Sequence, residues 1–465
     1  MTRRANPTID TTILEMVANA RAAMETLDGA TGDRLDSIVK AIAWSIYRPD
    51  RALELAKISV EDTGLGSVED KVVKNQRKTI GTLNDLLQVA ATGVISDEPD
   101  RGLSTWAKPV GVVGSITPST NPGATPANHA MMALKAGNAI IISPSPTGLR
   151  TALTLQGFVR EELDRVDESP DLFQVVQAPI SFDKAISLAE QVDLVVATGD
   201  QQNVRSAYKS GTPCIGVGKG NVPVLIDESA DLADAAMKIA KSKIFDNATS
   251  CSSENSVVVL QRQYSEFVEA LTSAGGYHCS RSETKEIRQQ LFEHGGISRR
   301  FLGKPIQTVV SELGFESVAA DRTFLFADGI GIGREDPLSG EKLSLVLTIF
   351  EAADFEDGVS IIQQILSYEG AGHSVGIHTQ SPDRARELAA KVPVGRVLVN
   401  QAHTFGNGGG FDNNLPFSMS MGCGTWAGNS ISENLSYKHF FNTTQLVRAV
   451  DKEEPDAAVL FAGFV

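Results

Sequence analysis

A cysteine in the segment FDNATSCSSENSVVVL is the first candidate for chemistry in this chain. Cys251 lies between a predicted helix end and a predicted buried strand, in a turn built from small and polar residues. Such a turn leaves a thiol accessible while rigid elements hold it, and a nucleophile requires both. A lone cysteine is more often a packed core residue, so the local sequence leaves both interpretations open.

The remaining cysteines and the histidines predict neither a disulfide framework nor a metal site. The three other cysteines are widely spaced and form no CxxC pair. The seven histidines show no HExxH or comparable ligand spacing.

Two short segments are candidates for binding a ligand at the end of a predicted strand. The segment ATGD, which includes residues 198–200, follows VDLVV and precedes a helix whose first amides could face a pyrophosphate. The segment SPSP, residues 143–146, also ends a strand, where open α/β sheets bind ligands. An ordinary βα turn explains ATGD equally well. The glycine-rich segment GVGKGN, residues 216–221, precedes a strand and is only superficially similar to a phosphate loop.

The elements that must position these residues follow from the periodicity of the chain. From about residue 11 to residue 91, apolar residues recur at three and four positions, which predicts helices. From residue 105, short β-branched runs alternate with helical stretches, which indicates parallel sheets covered by helices. We place a boundary at Ile226 and a terminal arm from Tyr437. The prediction is an α/β protein divided into residues 1–226, 227–436 and 437–465.

Composition limits the partners of the protein. The chain has 465 residues, of which 42% are hydrophobic and 21% charged, and its net charge is −15. This composition is typical of a globular protein, and the acidic charge gives no general attraction for nucleic acid or anionic lipid. No apolar run approaches the ~18 residues of a membrane span, and acidic residues interrupt any signal-like region at the N-terminus. We therefore expect small-molecule partners and a cytoplasmic location.

Taken together, six segments resemble the CoA-acylating branch of the aldehyde dehydrogenase superfamily. In addition to the cysteine segment, the similarity is carried by ITPSTNP, ALKAGNAIIISPSP, VDLVVATGD, GEKLSLVLTIF and MGCGTWAGNSISEN, in order from about residue 10 to residue 450. The resemblance implies a Rossmann-type cofactor domain in residues 1–226 and an α/β catalytic domain in 227–436, with the active site between them. It also implies an oligomerisation arm in 437–465 and a homodimer or homotetramer.

The resemblance assigns roles to particular residues. Cys251 matches the nucleophile of the family, and Asn121 matches the asparagine whose amide forms the oxyanion hole with the backbone N–H of the nucleophile. Such donors stabilise the alkoxide of a thiohemiacetal. Glu341 matches the glutamate that holds the nicotinamide ribose. The expected cofactor-binding residues are Thr117, Pro118, Ser143, Pro144, Thr198, Gly199, Gly218 and Glu341.

One departure from the hydrolytic members of the superfamily predicts the acyl acceptor. Those members activate water with a glutamate, and the matching position here is Gly216. Without that base, hydrolysis of the acyl-enzyme is slow enough for a thiol to accept the acyl group. The resemblance implies that this thiol is coenzyme A. The alternatives are a hydrolytic semialdehyde dehydrogenase in which Glu254 activates water and, more distantly, a dinucleotide-binding protein without catalysis.

The cofactor and the aldehyde are less specifically indicated. The residues at 143 and 146 lack the acidic group that would repel a 2′-phosphate, whereas Asp200 would disfavour one, so we expect NAD, NADP or both. The segment from 400 to 430 is most similar to members that act on sulfoacetaldehyde. His403, Thr404, Asn407 and nearby glycine amides could donate to a sulfonate. Acetaldehyde and other short aldehydes are the alternatives, and a glycine-rich loop that merely closes the pocket remains a further interpretation.

Overall fold

The computed structural model describes residues 10–199, 201–293 and 296–464. Four helices open the chain and the remainder alternates between strands and helices. The helices are α1 (Thr11–Glu25), α2 (Gly32–Tyr47), α3 (Pro49–Thr63), α4 (Val68–Leu87), α5 (Ala124–Lys135), α6 (Leu149–Arg165), α7 (Phe182–Gln191), α8 (Gln201–Tyr208), α9 (Leu232–Ile244), α10 (Tyr264–Ser273), α11 (Arg281–Gln290), α12 (Ile306–Leu313), α13 (Phe355–Tyr368), α14 (Pro382–Lys391), α15 (His403–Gly406) and α16 (Ala457–Leu460).

The strands follow the predicted alternation with helices. They are β1 (Gly93–Glu98), β2 (Leu103–Pro109), β3 (Val112–Ile116), β4 (Ala139–Ser143), β5 (Phe173–Val175), β6 (Leu194–Ala197), β7 (Cys214–Gly216), β8 (Val222–Ile226), β9 (Glu254–Leu260), β10 (Gly276–His278), β11 (Phe292–Glu293), β12 (Gly296–Ile297), β13 (Phe324–Asp328), β14 (Val346–Ala352), β15 (Gly372–His378), β16 (Val394–Val399) and β17 (Phe441–Val447).

The first sheet has the strand order of a dinucleotide-binding fold. Its five strands are parallel in the order β5-β4-β3-β6-β7. The central strands β3, β4 and β6 are fully buried, as Val- and Ile-rich strands covered by helices on both faces should be. The order reverses between β3 and β6, so their carboxyl ends form the crevice in which such sheets bind ligands.

The second sheet is larger and also parallel, and its membership corrects the predicted domain boundary. Its seven strands run in the order β10-β13-β14-β9-β8-β15-β16. Strand β8 pairs with β9 and β15, so residues 222–226 belong to this sheet and not to the first. The chain therefore crosses between the sheets in residues 217–221, before the predicted boundary at Ile226. A local pattern identifies a buried strand but not the sheet that it joins.

A third, antiparallel sheet contains the C-terminal arm. Strand β17 pairs with β2 from Phe441 opposite Pro109 to Val447 opposite Leu103, and β1 pairs with the other edge of β2. The side chains of β17 beyond Phe441 are exposed. Just before this strand, Phe440 packs into the core of the first sheet, which fixes where the arm leaves the body.

Helix α4 connects the two large sheets and proves central to the site. Ser67 caps its N-terminus by accepting a hydrogen bond from the backbone N–H of Asp70. The backbone N–H of Ser67 donates to Asp246, in the chain that leads to β9 of the second sheet. The helix also packs along α5, which follows β3 of the first sheet. Within the described ranges, no helix combines the length and the apolar character needed to cross a bilayer.

Candidate active site

The cavity between the two large sheets contains most of the predicted site. Its volume is about 1080 Å³. Cys251 and Asn121 line it, together with every residue that the resemblance assigned to the cofactor: Thr117, Pro118, Ser143, Pro144, Thr198, Gly199, Gly218 and Glu341. Segments that are far apart in the sequence, at the ends of β3, β4, β6 and β7 and before β9, thus converge on one space.

The ends of the first-sheet strands fit a dinucleotide. Thr117 follows β3, and its Oγ1 is buried without a hydrogen-bond partner in the protein. Gly199 follows β6, and a Cβ there would meet open space, so a ligand can approach the backbone closely. Asp200, which the sequence suggested as a group disfavouring NADP, lies outside the described residues.

An unusual backbone turn presents Cys251. Asp246, Asn247 and Ala248 all have positive φ angles, of 51°, 49° and 58°. For residues other than glycine, each left-handed conformation costs about 1–2 kcal/mol, so three in succession need support from the surrounding structure. The turn reverses the chain after α9 and brings Cys251 to the cavity wall before β9 begins.

The buried carboxylate of Asp246 supports this turn. Its Oδ2 accepts hydrogen bonds from Lys74 at 2.5 Å, Lys71 at 3.1 Å and Thr249 at 2.6 Å, and its Oδ1 accepts from the backbone N–H of Ser67 at 2.9 Å. Burial raises the pKa of Asp246, but the two lysines and these hydrogen bonds lower it more, so the group is held below its ordinary value. The carboxylate thereby anchors the cysteine turn to α4.

The same cluster orients the amide of Asn121. Lys74 donates to Asn121 Oδ1 at 2.9 Å as well as to Asp246. Because the ammonium group has no acceptor capacity, it must face the carbonyl end of the amide. The NH₂ end is left to face a ligand, its contact within the protein being a long one of 3.4 Å to Thr120 Oγ1. This is the orientation that an oxyanion donor needs.

Two carboxyl groups in this region show contrasting environments. Glu341 lies on the cavity wall, where burial raises its pKa to about 8 although Lys219 opposes the shift. Glu254 is fully buried at the start of β9, outside the cavity wall, and burial raises its pKa to about 7. Its Oε1 accepts from the backbone N–H of His403 at 3.1 Å. Glu254 is therefore a structural group, not a base facing the cavity.

The glycine that faces the nucleophile is not the one expected from the resemblance. A Cβ at Gly216 would meet the side chains of Tyr208 and Val204 at 2.6 Å, so that position points toward α8. A Cβ at Gly220 would lie 2.3 Å from the backbone oxygen of Cys251. The crossing segment thus approaches Cys251 at Gly220, and no side chain fits between them.

Of the three predicted sulfonate ligands, the structure brings one to the cavity. Thr404 lines it, with its Oγ1 donating to the backbone oxygen of Ser242 at 3.2 Å. The ring of His403 is buried against Ser374, with 2.8 Å between Nε2 and Oγ, and burial lowers its pKa to about 3. Asn407 is buried and donates to Ser252 Oγ at 2.9 Å. His403 and Asn407 do not line the cavity, because both side chains are buried in hydrogen bonds to the protein, and their role as sulfonate ligands stays a prediction that this arrangement does not favour.

Three basic residues of α4 belong to the site and were missed. Lys74, Arg77 and Lys78 line the cavity. Their spacing of three and four places them on one face of a helix, and this pattern in KVVKNQRK was a usable signal. Their distance of more than 170 residues from Cys251 gave no reason to connect them with it. Among the described residues, no group of three or more His, Cys, Asp or Glu could hold a metal ion.

The environment of Cys251 predicts slow alkylation that accelerates with pH. Withdrawal from bulk water raises the pKa of the Cys251 thiol to about 12, and Glu341 and Cys423 add to the effect. Since the thiolate is the reactive form, the rate of modification by iodoacetamide should rise about tenfold per pH unit from about pH 7 to pH 9. Mass spectrometry of the peptide containing Cys251 measures this rate. A plateau below about pH 8 would contradict a raised pKa.

Comparison with known proteins gives a consistent result. Residues 7–275 match the profile of the aldehyde dehydrogenase family. The chain is 45% identical to an acylating sulfoacetaldehyde dehydrogenase from Cupriavidus necator over 97% of this chain and 92% of that protein. It is 36% identical to an acetylating succinate-semialdehyde dehydrogenase from Clostridium kluyveri over 94% of this chain and 96% of that protein.

A solved structure extends the similarity to the fold. The crystal structure of an acetylating aldehyde dehydrogenase from Geobacillus thermoglucosidasius superimposes with a TM-score of 0.92 at 32% identity, covering 96% of this chain and 98% of that one. The predicted α/β architecture is confirmed. With its thiol, its oriented amide and its dinucleotide-type crevice in one cavity, the chain belongs to the aldehyde dehydrogenase family, within its acylating branch.

Proposed function

We propose that the protein oxidises sulfoacetaldehyde to its coenzyme A thioester, with NAD or NADP as the hydride acceptor. The observation that carries the acylating step is the composition of the cavity wall. Among the described lining residues, Glu341 is the one carboxylate, and its assigned role is to hold the nicotinamide ribose. Glu254, the base of the hydrolytic alternative, is buried behind the wall. A thiol acceptor needs no such base.

The residues of the chain account for the covalent steps. The Cys251 thiolate adds to the aldehyde carbon, and the electron pair of the C=O bond moves to the oxygen, where the Asn121 amide and the Cys251 N–H stabilise it. The residues at the ends of β3, β4 and β6 would hold the dinucleotide, whose nicotinamide would supply the acceptor for the hydride that leaves this carbon. The thiolate of coenzyme A then attacks the thioester on Cys251. The C–S bond to Cys251 breaks, and the thiolate returns.

Several features support sulfoacetaldehyde over neutral aldehydes. The similarity to an acylating sulfoacetaldehyde dehydrogenase covers almost all of both chains. The aldehyde in the name of the succinate-semialdehyde relative also carries an anionic end. The cavity wall matches this charge, since Arg77, Lys78 and Arg299 line it without an ion pair among the described residues, and Glu341 is the one described carboxylate on the wall.

The reaction should depend strictly on coenzyme A. With sulfoacetaldehyde and NAD or NADP, we expect sustained formation of reduced nicotinamide only when CoA is present, and without it a burst of about one equivalent per site. The kcat/KM for sulfoacetaldehyde should exceed that for acetaldehyde by about tenfold or more. Absorbance of the reduced nicotinamide and mass spectrometry of the product measure both.

The alternative predicts a different product. Sustained turnover without CoA that yields free sulfoacetate would contradict the acylating proposal, and loss of that turnover in Glu254→Gln would then identify the hydrolytic base. Binding of dinucleotide without turnover of any aldehyde would indicate a protein that has lost catalysis.

We further propose that the C-terminal arm mediates assembly into a homodimer or homotetramer. The arm presents exposed apolar side chains at Val459, Leu460, Phe461 and Phe464. Apolar side chains exposed together in this way, in α16 and the residues after it, are typical of a surface that a second copy covers.

A further inference from the structure

The geometry points to Arg77 as the residue that binds the anionic end of the aldehyde, with Lys78 supplying a second positive charge beside it. This inference rests on the proposed function, because it concerns the substrate of the same cavity. In this inference the anion is recognised by α4, and not by the segment around His403 as the sequence suggested.

Arg77 is a partly buried cation that has no ion-pair partner among the described residues. Its Nε is buried and makes no hydrogen bond to the protein, and no ion pair within the described residues involves its guanidinium. Arg51 is more deeply buried and its Nε also lacks a partner, but its two terminal nitrogens pair with Glu161 at 2.5 Å and Glu162 at 2.8 Å. Carboxylates of the protein thus balance the charge of Arg51, whereas the guanidinium of Arg77 lies on the cavity wall without one and is available to an anionic ligand.

Aromatic rings hold the guanidinium in place. Its central carbon lies 4.8 Å from the centroid of the Phe411 ring and 5.7 Å from that of Phe405. Phe405 itself packs against Phe245, with 4.7 Å between centroids, just before the cysteine turn. Cation–π contacts of this kind favour one orientation of the guanidinium without neutralising its charge.

The positive charges of α4 are unbalanced on the side toward Cys251. Lys71 and Lys74, one turn earlier in the helix, share Asp246 as their counter-ion, whereas Arg77 and Lys78 have no ion pair among the described residues. Lys78 donates only to the backbone oxygens of Gly408 and Gly409. Burial lowers the pKa of Lys78 to about 7, and the charges of Arg77 and Lys74 contribute. In a chain of net charge −15, this local excess of positive charge is stabilised by a bound anion.

The position of the cluster suits a short anionic aldehyde. In sulfoacetaldehyde one methylene separates the sulfonate from the carbonyl carbon that Cys251 attacks, so the anion site must lie close to the nucleophile. Arg77, Lys78 and Cys251 line the same cavity, so an anion bound by the two cations lies in the space that the thiol also faces. A guanidinium can donate two parallel hydrogen bonds to sulfonate oxygens, and an ammonium adds a point charge.

The test compares an anionic and a neutral aldehyde in Arg77→Met, which keeps the length of the side chain and removes the charge. We expect kcat/KM for sulfoacetaldehyde to fall about 10- to 100-fold. The kcat/KM for propionaldehyde should stay within about threefold, as should the KM values for NAD(P) and CoA. Arg77→Lys should restore part of the loss. Arg386→Met, the same change at an exposed arginine of α14, controls for the substitution itself.

A binding measurement separates this inference from the proposed function. Isothermal calorimetry on Cys251→Ala with isethionate, an unreactive sulfonate of similar length, requires no turnover. We expect isethionate to bind to Cys251→Ala and not to the double variant that also carries Arg77→Met. If isethionate binds in this way but the original protein does not turn over sulfoacetaldehyde, the anion site is supported and the proposed function is contradicted. An equal fall for both aldehydes in Arg77→Met, or unchanged selectivity and isethionate binding, would show that Arg77 has only a structural role.

Discussion

Cys251→Ala should lower the rate of CoA-dependent aldehyde oxidation by about 10⁴-fold or more, because it removes the atom on which the acyl group is carried. The variant should bind NAD(P) as the original protein does, since Cys251 makes no contact that holds the strand ends of the first sheet. The loss should therefore appear in kcat, with unchanged dinucleotide affinity and thermal stability. Steady-state kinetics, nucleotide titration and thermal melting check these outcomes.

Cys423→Ala is the matched control for this substitution. Cys423 is the thiol whose charge acts on Cys251, but it is fully buried, and its Sγ donates to the backbone oxygen of Met421 at 3.6 Å. We expect this variant to retain activity within about tenfold. If activity survived in Cys251→Ala but disappeared in Cys423→Ala, the nucleophile would be Cys423 and the assignment to Cys251 would be wrong.

Asp246→Asn should destabilise the protein and impair catalysis together. The substitution leaves Lys71 and Lys74 buried without their counter-ion, which typically costs about 3–5 kcal/mol of unfolding free energy. It also weakens the support of the left-handed turn before Cys251 and of the lysine that orients Asn121. We expect kcat to fall about 10²- to 10³-fold, as when one oxyanion donor is lost. Denaturant unfolding and steady-state kinetics measure the two effects.

The pH dependence of stability tests the same carboxylate. Because its pKa is lower in the folded protein than in the unfolded chain, Asp246 stabilises the fold above its ordinary pKa, and this stabilisation is lost as the pH falls through the folded value. Asp246→Asn should therefore show a smaller loss of stability in acid than the original protein.

Asp231→Asn is the corresponding control, because it makes the same change at the N-cap of α9. Asparagine caps a helix as well as aspartate does, so we expect a change below about 0.5 kcal/mol. If Asp246→Asn behaved like this control in both stability and kcat, the cluster around Asp246 would not be what holds the cysteine turn.

The sequence predicted the elements and the first candidates for chemistry because both depend on local patterns. Buried β-branched runs and their closing turns identified β3, β4 and β6, and the structure places the residues that follow them in one cavity. Cys251 and Asn121 were found in short segments through their resemblance to a family. Predictions from such local signals hold in the folded protein, because a strand end or a tight turn depends mainly on the residues next to it in the sequence.

What only the tertiary structure decided is which distant side chains meet. The sequence could not show that β8 joins the second sheet, that His403 points away from the cavity, or that Arg77 and Lys78 line it. The charge pattern of α4 was visible, but a row of basic residues on a helix is equally consistent with a solvated face. The sequence determines which faces a helix has, whereas the packing of α4 against α5 and against the turn at Asp246 decides that this face lines the same cavity as the nucleophile.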